Sequence, residues 1–176
     1  MTAPRPRFSY IQRLAERLLA DHDVTHPPVP VDDMARKAGC RIVPAALQDV
    51  SGILVRSVDG PTIGVNDRQH PVRRRFTIAH ELGHLLLHRG QQVTYDHSFR
   101  VNLRSGESSE GRDVEEIEAN FFASRLLMPD AFLHADPRTA SIDMEDDAAV
   151  AALAKEYKVS QQAMTLRLAR LGRWRE

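Results

Sequence analysis

Apolar positions along this chain change period several times. Phe8, Ile11, Leu14, Ala15, Leu18 and Leu19 recur at steps of three and four, which predicts an amphipathic helix over residues 8–20. Pro27, Pro28 and Pro30 then force an extended connection. Val31, Met34, Ala35 and Ala38 resume helical spacing over 31–38, and Gly39 stands where a C-terminal glycine stops a helix. Residues 41–44, 52–58 and 61–66 read as strands. Asp59-Gly60 is a tight-turn signal that makes the second and third an antiparallel hairpin. An edge strand of such a sheet is either ordinarily capped or open to an added peptide strand. After a polar turn over 66–70, Pro71 suits the first turn of a helix over 72–89. Phe76, Ile78, Ala79, Leu82, Leu85 and Leu86 make that helix apolar on most sides.

The second half repeats the alternation. Residues 90–112 are polar and read as a long loop. A helix over 113–128 follows, with Asp113 as N-cap, Pro129 as terminator and an apolar stripe of Ile117, Ala119, Phe121, Phe122, Leu126 and Leu127. Residues 130–147 read as irregular and acidic. Two helices over 150–160 and 161–171 enclose a turn with Ser160 as N-cap and Lys158 where glycine is usual, a helix-turn-helix-like pair.

Chemistry concentrates in the 72–89 helix, which contains His80-Glu81-x-x-His84. Positions four apart share a helix face, so His80 and His84 can point two imidazoles at one metal ion. Glu81 lies beside them, where a carboxylate can take a proton from a metal-activated water. Zinc brings the pKa of such a water to about 7. The bland alternative is two satisfied core histidines and an exposed glutamate. His88 continues the same face and is a second-shell or structural residue, with a further ligand as the alternative. Arg73, Arg74 and Arg75 form either a solvated helix start or a patch that guides an acidic substrate. Tyr95, His97 and Arg100 in the polar loop are candidate donors to a tetrahedral oxyanion, or simply solvated.

The chain has 176 residues, one domain or one domain with a small appendage. Hydrophobic residues make up 42% and charged residues 27%, compatible with a packed core. Lys+Arg and Asp+Glu are equal at 24 each, so net charge offers no argument for nucleic acid or a membrane surface. A single cysteine, Cys40, excludes an intramolecular disulfide framework and reads as buried and inert. No apolar run has the length of a membrane span, and residues 1–7 lack a signal peptide's apolar core. The expected location is cytoplasmic.

Two sequence blocks resemble the ImmA/IrrE family of zinc metallo-endopeptidases, in the gluzincin-like group. They are Phe76-Thr77-Ile78-Ala79-His80-Glu81-Leu82-Gly83-His84-Leu85-Leu86-Leu87-His88 and Glu116-x-x-Ala119-Asn120-x-Phe122-Ala123-x-x-Leu126-Leu127-Met128-Pro129. The hairpin end Ile63-Gly64-Val65-Asn66 and the segment Val159-Ser160-x-x-Ala163-x-x-x-Arg167-Leu168 match too, so the resemblance runs over roughly residues 8–172. It implies His80, His84 and Glu116 as ligands of Zn²⁺ and Glu81 as general base. The implied substrate is a DNA-binding transcriptional repressor, often encoded nearby, whose cleavage induces stress-response or mobile-element genes. Some members carry an N-terminal helix-turn-helix or a C-terminal sensor domain; this chain is read as having room for neither.

The expected architecture is α/β (α+β): a helical bundle around a small three-stranded sheet. The zincin-like metalloprotease core occupies 1–135, and a C-terminal helix-turn-helix-like region, 136–176, packs on it. Asp113, Glu115, Glu116 and Glu118 compete for the role of third ligand. At about 100° per residue, Ala119 and Asn120 share a face with Glu116, whereas Glu118 lies roughly 200° away. Glu118 is therefore expected to be solvated, and Asn120 to support a ligand histidine as second shell. A capping box between Asp113 and Glu116 competes for the same spacing. Rival functions are a repressor- or DNA-binding module with a structural metal site, and an antitoxin-like partner that works by binding.

Overall fold

A computed structural model of the chain describes residues 5–89, 93–96 and 110–171. Helix α1, Phe8–Asp21, buries Ile11, Ala15 and Leu19 on one side, as its period requires. Helix α2, Val31–Lys37, ends before Gly39, which takes φ +87°, the left-handed conformation that glycine adopts without strain. Strands β1 (Arg41–Ala45), β2 (Gly52–Ser57) and β3 (Gly60–Asn66) follow. β2 and β3 form the expected antiparallel hairpin, with Gly60 at φ +103° in the turn. β1 runs parallel to β3.

The three expected strands gain a fourth. β4, Val93–Asp96, lies inside the segment read as loop and pairs antiparallel with β2, so the order is β1-β3-β2-β4. Both sides of the hairpin are thus occupied, and among the described residues the sheet's edge strands are β1 and β4.

Helix α3, Pro71–Leu87, has Pro71 in its first turn and packs on β2, β3 and α2 from one side and on α4 from the other. Helix α4, Glu110–Leu127, begins three residues before Asp113. Asp113 therefore stands inside the helix and not at its N-cap, and its side chain lies outside the described residues. α4 is held between α3 and α1. Ile117, expected in its apolar stripe, is 46% exposed instead.

Residues 130–147 contain two short helices where irregular chain was expected. α5, Asp130–Ala135, follows Pro129, and α6, Pro137–Ala140, starts where the Asp136 carboxylate accepts from the Arg138 N–H at 2.9 Å. Such short helices rest on caps and tertiary contacts more than on periodicity. α7, Asp147–Tyr157, is capped by Asp146, which accepts from Ala148 and Ala149. Lys158 takes the glycine-like conformation, φ +52°, between α7 and α8, Gln161–Leu171. Cys40 is buried.

The basic run after Pro71 is neither a solvated helix start nor a free patch. Arg73 donates to Ser51 Oγ at 3.1 Å, and Arg75 donates to the carbonyls of Val29 at 2.8 Å and Lys158 at 3.3 Å. All three arginines are partly buried because α3 starts beneath neighbouring loops.

One carboxylate ties the C-terminal helices to the rest. Asp130 accepts from Arg125 at 2.6 and 2.7 Å, from Gln12 at 2.7 Å, and from Arg167 of α8. Arg167 is buried and also donates to the Met128 carbonyl at 3.0 Å. Burial alone would raise the Asp130 pKa, but the hydrogen bond and charge of Arg167 and the charge of Arg125 bring it below its ordinary 3.8. A depressed carboxyl stabilises the fold fully above its unfolded value and loses that contribution as pH falls through the folded one. Asp130→Asn should cost about 2–4 kcal/mol of unfolding free energy at neutral pH by denaturant titration. It should also weaken the acid sensitivity of stability below pH 3.8. Unchanged stability at neutral pH would remove Asp130 from this role.

Candidate metal centre

The central turns of α3 have no solvent face: every residue from Thr77 to His84 is buried. A helix enclosed by a sheet on one side and a helix on the other must satisfy its polar groups internally. Its C-terminal carbonyls are covered by two arginines. Arg56 donates to the carbonyls of His84 at 2.9 Å and His88 at 3.2 Å, and Arg7 to that of Leu87 at 3.1 Å. Cationic donors suit this helix end.

Close approach between α3 and α4 requires small residues. A Cβ on Gly83 would sit 3.0 Å from Phe122 Cδ1 and 3.3 Å from Ala119 Cα. On the sheet side, a Cβ on Gly52 would lie 2.3 Å from Thr77 Cγ2 and 3.2 Å from Glu81 Oε1. Glu81 is fully buried there, beside the start of β2.

At this crossing His80, His84 and Glu116 come together, each with one donor atom within 4.8 Å of the others. The Nε2 atoms of His80 and His84 are 3.0 Å apart; Glu116 Oε2 lies 3.4 Å from the first and Oε1 3.1 Å from the second. Asn120 Oδ1 is 3.0 Å from His80 Nδ1 and can accept the ring's N–H, which leaves Nε2 as a lone pair. Lone pairs and a carboxylate facing one point repel unless they share a cation. Two imidazoles and a carboxylate suit a first-row divalent ion, so the residues fit a metal.

Electrostatics agree with that fit. Burial pushes the His84 imidazole below its ordinary value, against the pull of Glu116. Burial works against ionisation of Glu116, yet the two imidazoles facing it hold its carboxyl well below the usual carboxylate range. A neutral imidazole and an ionised carboxylate are the states that coordinate metal.

The shared face of Glu116, Ala119 and Asn120 is as expected. The expectation for Glu118 is overturned: its carboxylate is 2% exposed. Arg7 donates to it from Nε at 2.9 Å, from Nη2 at 2.5 Å and from its backbone N–H at 2.7 Å, and His88 Nε2 lies 3.0 Å from Oε2. Burial would raise the Glu118 pKa, but the side-chain and backbone hydrogen bonds of Arg7 and that of His88 bring it down to about 2. The angular argument places Glu118 away from Glu116 correctly. It misses that α1 and the end of α3 cover the other side of α4. Arg7 carried no sequence signal; a polar partner for His88 was the available hint. His88 Nδ1 lies 3.1 Å from His84 Nδ1, so its ring backs the His84 ring. Tyr95 lies in β4 opposite Ile53, its side chain outside the described residues, as are His97 and Arg100.

A histidine pair on one buried helix, a glutamate from the next and a small mixed sheet beneath form a zincin-like metallopeptidase architecture. The chain belongs to the IrrE N-terminal-like domain family, a peptidase family whose model matches residues 35–169. A solved structure, a Mycobacterium tuberculosis transcriptional regulator, shares the fold with a TM-score of 0.61 and 21% identity over 94% of this chain. That match covers 48% of the regulator, so the present chain spans about half its length. No curated protein matches the chain. Among the described residues no helix is long and apolar enough to cross a membrane.

The crossing at Gly83 yields a test. Gly83→Ala removes a helix-interior glycine, worth about 1 kcal/mol of local helix stability. Its methyl would press on Phe122 and the Ala119 backbone, and overpacking costs about 1–3 kcal/mol. Metal affinity in a chelator competition should therefore fall by about tenfold, because α4 carries Glu116 outward. Wild-type affinity would show that the crossing yields without moving Glu116.

Proposed function

We propose that this chain is a zinc-dependent endopeptidase that cleaves a peptide bond in a protein substrate, the substrate being a DNA-binding helix-turn-helix repressor. The observation that carries this reading is the convergence of His80 Nε2, His84 Nε2 and the Glu116 carboxylate, with Glu81, next to His80 in the chain, fully buried. His80, His84 and Glu116 hold Zn²⁺. Bound there, the ion would supply Lewis-acid polarisation of a scissile carbonyl and of a water, whose pKa it would bring to about 7. Glu81 takes the proton of the attacking water and passes it to the leaving amine. Asn120 orients His80. The substrate class follows from the family resemblance, and the regulator that shares this fold supports a place in transcriptional control. Residues 1–135 form the peptidase part and 136–176 a helical region packed on it, a division supported by the Arg167 anchor on Asp130. Cytoplasmic action fits a repressor substrate.

Glu81→Gln should keep the bound zinc and the fold but slow repressor cleavage by about 10²–10⁴-fold. Glu116→Ala should lose most of its zinc by metal analysis. Full turnover by a zinc-loaded Glu81→Gln protein would sink the mechanism.

The rival reading, a DNA-binding module, rests on α7 and α8. Of its basic residues, Arg167 is buried on Asp130 and is not available to a phosphate. DNA binding needs several phosphate contacts and falls steeply with salt. Gel shifts should therefore show no complex tighter than on the order of 10⁻⁶ M, the range of non-specific binding. A tighter, salt-sensitive complex would favour the module.

A further inference from the structure

Buried Glu118 has no task in the chemistry above, yet four hydrogen bonds converge on it. Its oxygens accept from Arg7 Nε, Nη2 and backbone N–H, and Oε2 lies 3.0 Å from His88 Nε2. An ionised carboxylate only accepts, so His88 Nε2 carries the hydrogen. A neutral imidazole has one N–H, which leaves His88 Nδ1 with a lone pair. That lone pair faces His84 Nδ1 at 3.1 Å, so His84 Nδ1 donates to it. His84 Nε2 is then bare, and it is the atom 3.0 Å from His80 Nε2 and 3.1 Å from Glu116.

We propose that Glu118, clamped by Arg7, is a positioning residue that fixes through His88 the tautomer of His84, so that a lone pair and not an N–H faces the metal centre. The proposal rests on the zinc reading for its purpose but not for its geometry. His84 is buried in the last turns of α3, where Arg56 covers its carbonyl, and among the described residues no side-chain carbonyl serves it as Asn120 serves His80. Its orientation is set by a relay of three side chains from three places in the chain: the residue before α1, the end of α3 and the middle of α4. The opposite polarity, with N–H on His84 Nε2, would satisfy Glu116 by a hydrogen bond and exclude a cation. The relay decides between these two arrangements.

The isosteric variant Glu118→Gln separates them. Arg7 donates to both carboxylate oxygens, with its Nε and backbone N–H on Oε1. The amide oxygen must therefore take the Oε1 place, which turns the amide NH₂ toward His88 Nε2. The relay then reverses: His88 Nδ1 donates to His84 Nδ1, and His84 Nε2 carries the hydrogen. In the zinc-free wild-type protein, ¹⁵N imidazole NMR should show the Nδ1–H tautomer at His84 and the Nε2–H tautomer at His88. In Glu118→Gln both should switch, and zinc affinity by chelator competition should drop by about 10–100-fold. The opposite tautomers in the wild-type protein would overturn the proposal even if the variant failed to fold. So would a folded Glu118→Gln protein with unchanged tautomers and zinc affinity. Wild-type tautomers as stated in a chain that binds no zinc would instead retain the relay and reject the zinc peptidase.

Discussion

The distance between α3 and α4 at Gly83 and Ala119 governs the rest of the structure. The first supplies two imidazoles and the second a carboxylate, and those groups meet only if the backbones approach closely. Gly83 has no Cβ and Ala119 only a methyl, and Phe122 fills the space around them. A metal-type donor set thus depends on a local packing constraint between two apolar surfaces. The sheet imposes a similar constraint from the other side, where Gly52 lets β2 run against Thr77 and Glu81. α3 is held in a slot with little freedom to shift, which suits a site whose donor atoms lie about 3 Å apart.

Burying a polar helix has consequences beyond the site. Each imidazole has a second nitrogen, and each is met: that of His80 by Asn120, that of His84 by His88 and that of His88 by Glu118. The helix end is capped by arginines from β2 and from the residue before α1. Elements far apart in sequence therefore converge on one helix because leaving its polar atoms unmet in the interior costs more than ordering the partners.

How much of this was readable in advance follows from which forces act locally. The hairpin was legible because a turn dipeptide and alternating strands act within a few residues, and β2 and β3 pair as expected. The α3 helix and its histidine pair were legible because a spacing of four is a property of the helix itself. Glu116 was legible only as a choice among carboxylates, made by the small and polar residues one turn on. β4, α5 and α6 were not, since a four-residue strand exists by pairing with β2, α6 by the Asp136 cap and α5 by the burial of Leu133. Glu118 was misjudged because its partner Arg7 is 111 residues away and announces nothing locally. The basic run at 73–75 failed likewise: Arg73 and Arg75 bond to a hydroxyl and to carbonyls that the linear pattern does not bring near.

Glu116 and Glu118 show how position divides the work of one residue type. They stand two apart on one helix, and both are held ionised. Glu116 is 45% exposed and faces imidazole nitrogens across the opening of the site, so its charge is available to an incoming cation. Glu118 is enclosed, and its charge is already matched by a guanidinium, so it can act only by setting the direction of hydrogen bonds. The enclosure is made by Arg7, whose carbonyl also accepts from the Ile11 N–H in the first turn of α1. The residue that starts α1 therefore also closes the environment of Glu118. A disturbance at the beginning of the chain would reach the metal-facing nitrogen of His84 through three hydrogen bonds, without any movement of the α3 and α4 backbones.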